Sequence, residues 1–319
     1  MTMTTPIEVL CLAGTSQNGA TLLTRMLGRL PGFVAVGEIG YLWDKGLIEN
    51  VECGCGVAFR SCPFWTKVGD AAFGGWDRVD ASEAVWLRGA VKLKGRPLAQ
   101  ARAVPLLIRP QLSRSYRRGL EAYGDLMTAV YGAVGEVSGG AVVVDSMKQP
   151  AHVYMVRTLA GVDLRVAHLV RDPRGFANSN LKWVRRQGDS EREYRTRRPP
   201  WKATALWDFT NLAFEAMAPL GVRAARVRYE DVVFRPADEL RRVAALCDVS
   251  LGPEDLSFVS GTRADLPPDH LVAGNRMRLA SGWTELRADE GWRSSLTEPQ
   301  RRTVAAISWP LMRAYGYGR

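Results

Sequence analysis

Residues 14–21 read Gly-Thr-Ser-Gln-Asn-Gly-Ala-Thr, a glycine-bounded stretch able to hold an oxyanion. In the related pattern G-x-x-x-x-G-K-[ST], glycines let backbone N–H groups curl around phosphate, the lysine reaches the β/γ-phosphates and the hydroxyl residue holds Mg²⁺. Here Ala20 stands at the lysine position and Thr21 keeps the hydroxyl. Backbone amides and a helix dipole remain available to a single phosphate. The fixed charge for a triphosphate tail is gone, which argues against ATP or GTP hydrolysis and toward a differently built nucleotide; a ligand-free strand-to-helix turn is the plainer alternative. A second candidate is Arg171-Asp172-Pro173-Arg174 with Asn178 and Ser179. Asp172 suits a helix N-cap and Pro173 the first helical position, leaving Arg171 at the end of the preceding apolar run. Arg171 can clamp a phosphate while the Ser179 hydroxyl takes a remaining oxygen. Pairing of Arg171 with Asp172 or another carboxylate is the competing use.

The elements that must carry these residues are legible in the hydrophobic pattern. Near-continuous apolar runs at residues 7–13, 141–144, 164–170 and 222–227 read as strands of a parallel sheet buried on both faces. Between them, residues 21–30, 150–160, 173–186 and 201–220 carry helical spacing and read as crossover helices, giving an α/β architecture. From about residue 40 to 140 the alternation breaks down, with helices expected near residues 83–93 and 116–134. This reads as a helical insertion shaping an acceptor pocket within a single domain spanning residues 1–319. Thr297-Glu298-Pro299-Gln300 is a capping box for a terminal helix reaching about Ala314.

Composition narrows the partners. The net charge of +10 in 319 residues suits a polyanionic ligand, whereas regularly spaced base-stacking aromatics are missing, so nucleic acid is the weaker partner. Six arginines in residues 185–198 read either as a solvated loop or as a lid over an anionic site. No run approaches a membrane span and the first residues lack a secretory pattern, so a cytoplasmic location is expected. Cys53, Cys55 and Cys62 are closely spaced, but zinc would need a fourth ligand and His152, His168 and His270 lie far off in sequence. The reading assigns no metal and packs these cysteines as small hydrophobes.

Taken together, the loop without its lysine, Leu169-Val170-Arg171-Asp172-Pro173-Arg174 with Ser179, Arg228-Tyr229-Glu230-Asp231 and Gly274-Asn275-Arg276-Met277-Arg278 resemble the sulfotransferase family. That resemblance implies the sulfotransferase fold, a P-loop-like parallel sheet flanked by helices, and the donor 3′-phosphoadenosine 5′-phosphosulfate (PAPS). By the same resemblance, Ser16, Gln17, Asn18, Gly19, Ala20 and Thr21 hold the 5′-phosphosulfate, Arg171 and Ser179 the 3′-phosphate, and Tyr229 the adenine, while Gly274, Asn275, Arg276 and Arg278 belong to a segment closing over the donor. Glu38 matches a Gly-Glu that supplies the general base in tyrosylprotein and related bacterial sulfotransferases. Lys148 matches a lysine near the bridging oxygen, and Gln17 would orient the transferring group.

The implied activity is sulfuryl transfer to a hydroxyl of a small metabolite, lipid or glycoside, in a setting such as secondary metabolism. It yields a sulfate ester and 3′-phosphoadenosine 5′-phosphate without a metal. Gln17 departs from the family's usual arginine or lysine: it offers a hydrogen bond and no charge. Asn18 and Ala20 replace the commoner serine and threonine, and Arg276 stands where many bacterial relatives have proline. Lys148 and Arg25 are candidates to compensate, although Arg25 could equally point away along its helix. A noncatalytic nucleotide- or sulfate-binding relative and a P-loop kinase are the alternatives, and the oligomeric state, a homo-oligomer included, stays open.

Overall fold

The computed structural model describes residues 6–93, 103–109, 113–140, 142–181 and 197–318. Its centre is a five-stranded parallel sheet of β1 (Ile7–Ala13), β2 (Phe33–Gly37), β3 (Val142–Asp145), β4 (Val162–Val170) and β5 (Arg223–Arg228), in the order β2-β3-β1-β4-β5. The register pairs Cys11 with Asp145, Ala13 with His168 and Val170 with Arg228, so the carboxyl ends of the strands line one edge. Strands β1 to β4 are largely buried on both sides, which explains their apolar runs, whereas the edge strand β5, expected from the sequence to be buried in the same way, leaves Arg223, Ala224 and Arg226 exposed. On β1, Val9, Cys11 and Ala13 face one core while Leu10 and Leu12 face the other.

Chain order reverses direction around β1: β2 and β3 lie on one side, β4 and β5 on the other. Such a switch point opens a crevice at the carboxyl ends, where ligands of open α/β sheets bind. All eight residues of the helix Ala20–Leu27 are buried, which fixes the loop leading into it. The capping box at Thr297 is present, with Gln300 donating its backbone N–H to the Thr297 hydroxyl, and the helix runs Glu298–Ala314.

Between β2 and β3 the chain forms the helices Pro63–Phe73, Ala81–Val91, Ala103–Ile108 and Arg114–Val137. Trp43, Phe59, Trp65, Phe73 and Trp76 make a packed aromatic cluster there, with Phe59 and Trp65 stacked at 5.1 Å and Trp43 edge-on to Trp76 at 6.4 Å. A small antiparallel sheet, β6 (Val259–Ser260), β7 (Arg263–Leu266) and β8 (Gly282–Glu285), was not expected from the sequence. Its strands are two to four residues long and partly exposed, too short for a period to emerge. Most of the arginine-rich run at 185–198 lies outside the described residues. Among the described residues, no helix is long and apolar enough to cross a membrane.

Candidate active site

Each strand of the parallel sheet delivers one part of the site at its carboxyl end. Reading across the edge, these are Glu38 after β2, Lys148 after β3, the 14–19 loop after β1, Arg171 after β4 and Tyr229 after β5.

The loop after β1 is held from within. Asn18 is fully buried; its side-chain amide donates to the Leu169 carbonyl (2.9 Å) and its side-chain oxygen accepts from the Ala20 N–H (3.2 Å). Asn18 therefore shapes the loop with its side chain, and any contact to a ligand falls to its backbone. Gly19 has φ +89, and a Cβ there would overlap the Tyr229 ring, so glycine is required on both counts. Gln17 takes the left-handed conformation at φ 63, which costs a non-glycine residue roughly 1–2 kcal/mol. Its carbonyl accepts from Arg171 Nη1 at 2.6 Å, while its side-chain Oε1 is buried with no protein partner. Ser16 is exposed, and Ala20 and Thr21 open the helix, whose first N–H groups have no intrahelical acceptor.

Arg171 is a convergence point. It is 5% exposed, places Nη1 3.4 Å from Ser179 Oγ and Nη2 3.0 Å from Asp289 Oδ2, and lies 5.1 Å from the centre of the Tyr229 ring. Asp172 is not its partner. That carboxylate caps the Arg174 N–H (2.8 Å) and pairs with the Arg174 guanidinium (2.7 Å), so Arg171 is left to face the loop. Tyr229 donates its hydroxyl to the Arg287 carbonyl at 2.9 Å; burial raises its pKa and Arg171 partly offsets this.

On the other side of the loop, Lys148 Nζ meets Glu38 Oε1 at 2.5 Å and the Ser146 carbonyl at 3.1 Å. Asp145, three residues before Lys148, is fully buried and engaged by Tyr131 (2.7 Å), His152 (2.7 Å) and the Met147 N–H (2.8 Å), so it does not pair with Lys148. His168 is likewise occupied, by Asn211 at 2.8 Å and Glu215 at 3.3 Å. Both histidines are thereby engaged within the core, while Glu38 stands at the carboxyl edge of the sheet beside Lys148.

Near Glu38 stand residues the sequence reading did not single out. Gln149 donates to the Tyr41 hydroxyl at 3.0 Å, and burial, followed by the Glu38 charge, raises the Tyr41 pKa. Lys92, 5.7 Å from the Tyr41 ring, is lowered to about 7 by burial and then by Arg88. No short motif marks these residues: Tyr41 and Lys92 are brought to the edge by the fold of the insertion, and Gln149 follows Lys148 after β3.

Residues 267–278 cover the site. Gly274 lies close to the Thr21 hydroxyl, the Glu38 N–H donates to the Ala273 carbonyl (3.5 Å), and the Asn275 side chain caps the turn Arg276–Leu279. Arg276 is exposed. Arg278 is 3% exposed, its Nε and Nη1 have no protein partner, and burial lowers its pKa. Arg25 does not compensate for Gln17. It binds Asp269 (2.6 Å) and the carbonyls of Leu266, Pro267 and Met277, and so ties this covering segment to the helix after β1.

This arrangement defines a P-loop-like α/β protein with a glycine-bounded loop at its switch point, a cation and hydroxyl beside it and a carboxylate–ammonium pair on the opposite flank. Comparison with known proteins shows what the chain is similar to. The chain is 28% identical over 200 residues to carbohydrate sulfotransferase 7 of Mus musculus, covering 50% of this chain and 40% of that protein. It is 26% identical over 168 residues to human carbohydrate sulfotransferase 3, covering 49% and 34%. The match thus spans less than half the length of these relatives.

Among solved structures, the sulfotransferase domain from the curacin biosynthetic pathway superposes with a TM-score of 0.52 at 17% identity, covering 95% of this chain and 97% of that one. The sulfotransferase domain of the Synechococcus PCC 7002 olefin synthase gives 0.51 at 17%, covering 98% and 96%. No protein-family profile matches the chain. The chain has the sulfotransferase fold, and over half its length its sequence is similar to carbohydrate sulfotransferases.

Proposed function

We propose that the protein transfers a sulfuryl group from PAPS to a hydroxyl, yielding a sulfate ester and 3′-phosphoadenosine 5′-phosphate. The observation that carries this reading is the pairing of Glu38 with Lys148 at 2.5 Å on one flank of the loop while Arg171 and Ser179 meet on the other. A nucleotide with separate 3′ and 5′ anions needs two cationic regions; a triphosphate carries all its charge on one arm. The buried, unpartnered nitrogens of Arg278 also favour an anionic ligand, since a desolvated guanidinium without acceptors is costly.

The roles follow from this placement. As the acceptor oxygen attacks sulfur, its proton passes to Glu38, and the bond from sulfur to the bridging phosphate oxygen breaks. Lys148 and the amides of residues 16–21 neutralise charge on the departing phosphate, and Gln17 holds the transferring group by a hydrogen bond. Arg171 and Ser179 take the 3′-phosphate, which displaces Asp289 from Arg171, and the Tyr229 ring flanks the adenine. Tyr41, Gln149 and Lys92 border the acceptor side. The names of the matched relatives favour a carbohydrate or glycoside hydroxyl as acceptor, with other small hydroxylated metabolites and lipids as the wider class.

A thermal-shift titration tests the donor assignment. The bisphosphate product should raise the melting temperature at concentrations where adenosine 5′-phosphate and ATP do not. Equal stabilisation by all three would remove the 3′-phosphate site. Specific bisphosphate binding without labelled sulfate reaching any acceptor in a broad panel would instead favour a noncatalytic relative.

A further inference from the structure

Three cysteines that the sequence leaves one ligand short of a metal site acquire their fourth partner in the fold. Cys55 Sγ lies 3.6 Å from Cys62 Sγ, and His270 Nδ1 lies 3.3 Å from Cys62 Sγ and 4.0 Å from Cys53 Sγ. All four ligand atoms fall within 4.8 Å of one another. A tetrahedral ion with Zn–S near 2.3 Å and Zn–N near 2.0–2.1 Å places its ligand atoms roughly 3.5–3.8 Å apart, so the cluster needs little adjustment. A disulfide fits less well, because it would use two sulfurs and leave the third cysteine and the imidazole without a role.

The surroundings hold the ligands in place. Cys53 and Gly56 form a tight knuckle, in which the Cys53 N–H donates to the Val57 carbonyl (2.7 Å) and the Gly56 N–H to the Cys53 carbonyl (2.9 Å). A Cβ on Gly54 would overlap the Asp269 carboxylate, so the knuckle packs directly on the segment carrying His270. The His270 ring stacks on Phe64 at 4.9 Å and 11°, and the Trp65 indole donates to the His270 carbonyl at 2.8 Å. Both aromatics follow Cys62 within three residues, so one short stretch supplies a ligand and orients another.

We propose that Cys53, Cys55, Cys62 and His270 bind one zinc ion that joins the insertion to the covering segment 267–278. Three thiolates and one imidazole fill a tetrahedral shell, which makes the site structural, with no coordination position left for a substrate. The ion then fixes the segment bearing Gly274, Arg276 and Arg278. This inference stands on the four ligands and does not depend on the transfer reaction.

The test is the metal content of the full chain purified under reducing conditions without chelator. One zinc per chain is expected, and cobalt(II) exchanged into the site should give the intense visible bands of a tetrahedral thiolate-rich centre. Cys55→Ser, which changes a half-buried ligand, should lower zinc stoichiometry, whereas Cys247→Ala should leave it intact. Chelation should lower the melting temperature of the wild-type chain and have no further effect on Cys55→Ser. Wild-type protein that holds no zinc after incubation with the ion, iron at stoichiometry in its place, or a Cys55–Cys62 disulfide in the reduced preparation would each overturn the proposal.

Discussion

Two backbone segments border the same edge of the sheet and are held by opposite means. The loop after β1 is pinned by the neighbouring strand ends of the sheet: Asn18 to the end of β4, Gln17 to Arg171, and Gly19 against Tyr229. The covering segment 267–278 has few such ties. It is clamped by Arg25 from the helix after β1, by Val272 N–H to Val36 (3.1 Å), and by Gly54 and Trp65 from the insertion. The first loop therefore forms whenever the sheet forms, whereas the second requires the insertion to be packed in place. Stability changes at the two should differ accordingly: one reports on the sheet, the other on the junction between sheet and insertion.

The largest effect is expected at the Arg25 clamp on the covering segment. Arg25→Ala strands Asp269 and three carbonyls, and removing one partner of a buried ion pair costs about 3–5 kcal/mol. Chemical denaturation should show this loss, together with weakened bisphosphate binding in whatever protein stays folded; a change below about 1 kcal/mol would mean that the clamp matters little.

Arg171→Ala should act on the ligand more than on the fold. Loss of a charged hydrogen-bonding group costs about 1.5–3 kcal/mol, or roughly 10- to 150-fold in affinity for the bisphosphate. Because Arg171 also holds the Gln17 carbonyl, calorimetry should find adenosine 5′-phosphate binding weakened far less than bisphosphate binding, and equal weakening of both nucleotides would move the 3′-phosphate elsewhere. The smallest of the three is Asn18→Ala, which should cost about 1–2 kcal/mol by freeing the Leu169 carbonyl and the Ala20 N–H. Its bisphosphate affinity should fall while the melting response to chelator stays as in wild type. A shared loss of both would make the two segments one cooperative unit.

What could be read from the sequence follows the same division. β1 was legible to the residue, because a strand buried on both faces is apolar throughout, and the capping box at Thr297 marked its helix start. The Gly14 to Thr21 frame and the Arg171/Ser179 pair were visible because each lies within one local stretch. The role of Arg25 was not legible, since its partners lie more than 240 residues away and only the fold chooses between the two directions its side chain could take. The closeness of His270 to the three cysteines was not legible for the same reason: it stands 208 residues beyond Cys62, and no local spacing joins them. Local motifs thus disclosed the loop after β1 and the Arg171/Ser179 pair, while the surroundings of Glu38 and the covering segment are assembled by long-range packing.

The central claim is that Glu38, held by Lys148 beside the anion loop, takes the acceptor proton. Glu38→Gln measures it most directly, by comparing turnover on a hydroxylated acceptor with calorimetric binding of the bisphosphate. Turnover should fall about 10²- to 10⁴-fold, the usual contribution of a general base, with bisphosphate affinity nearly unchanged. Turnover equal to that of the wild-type chain would contradict the account.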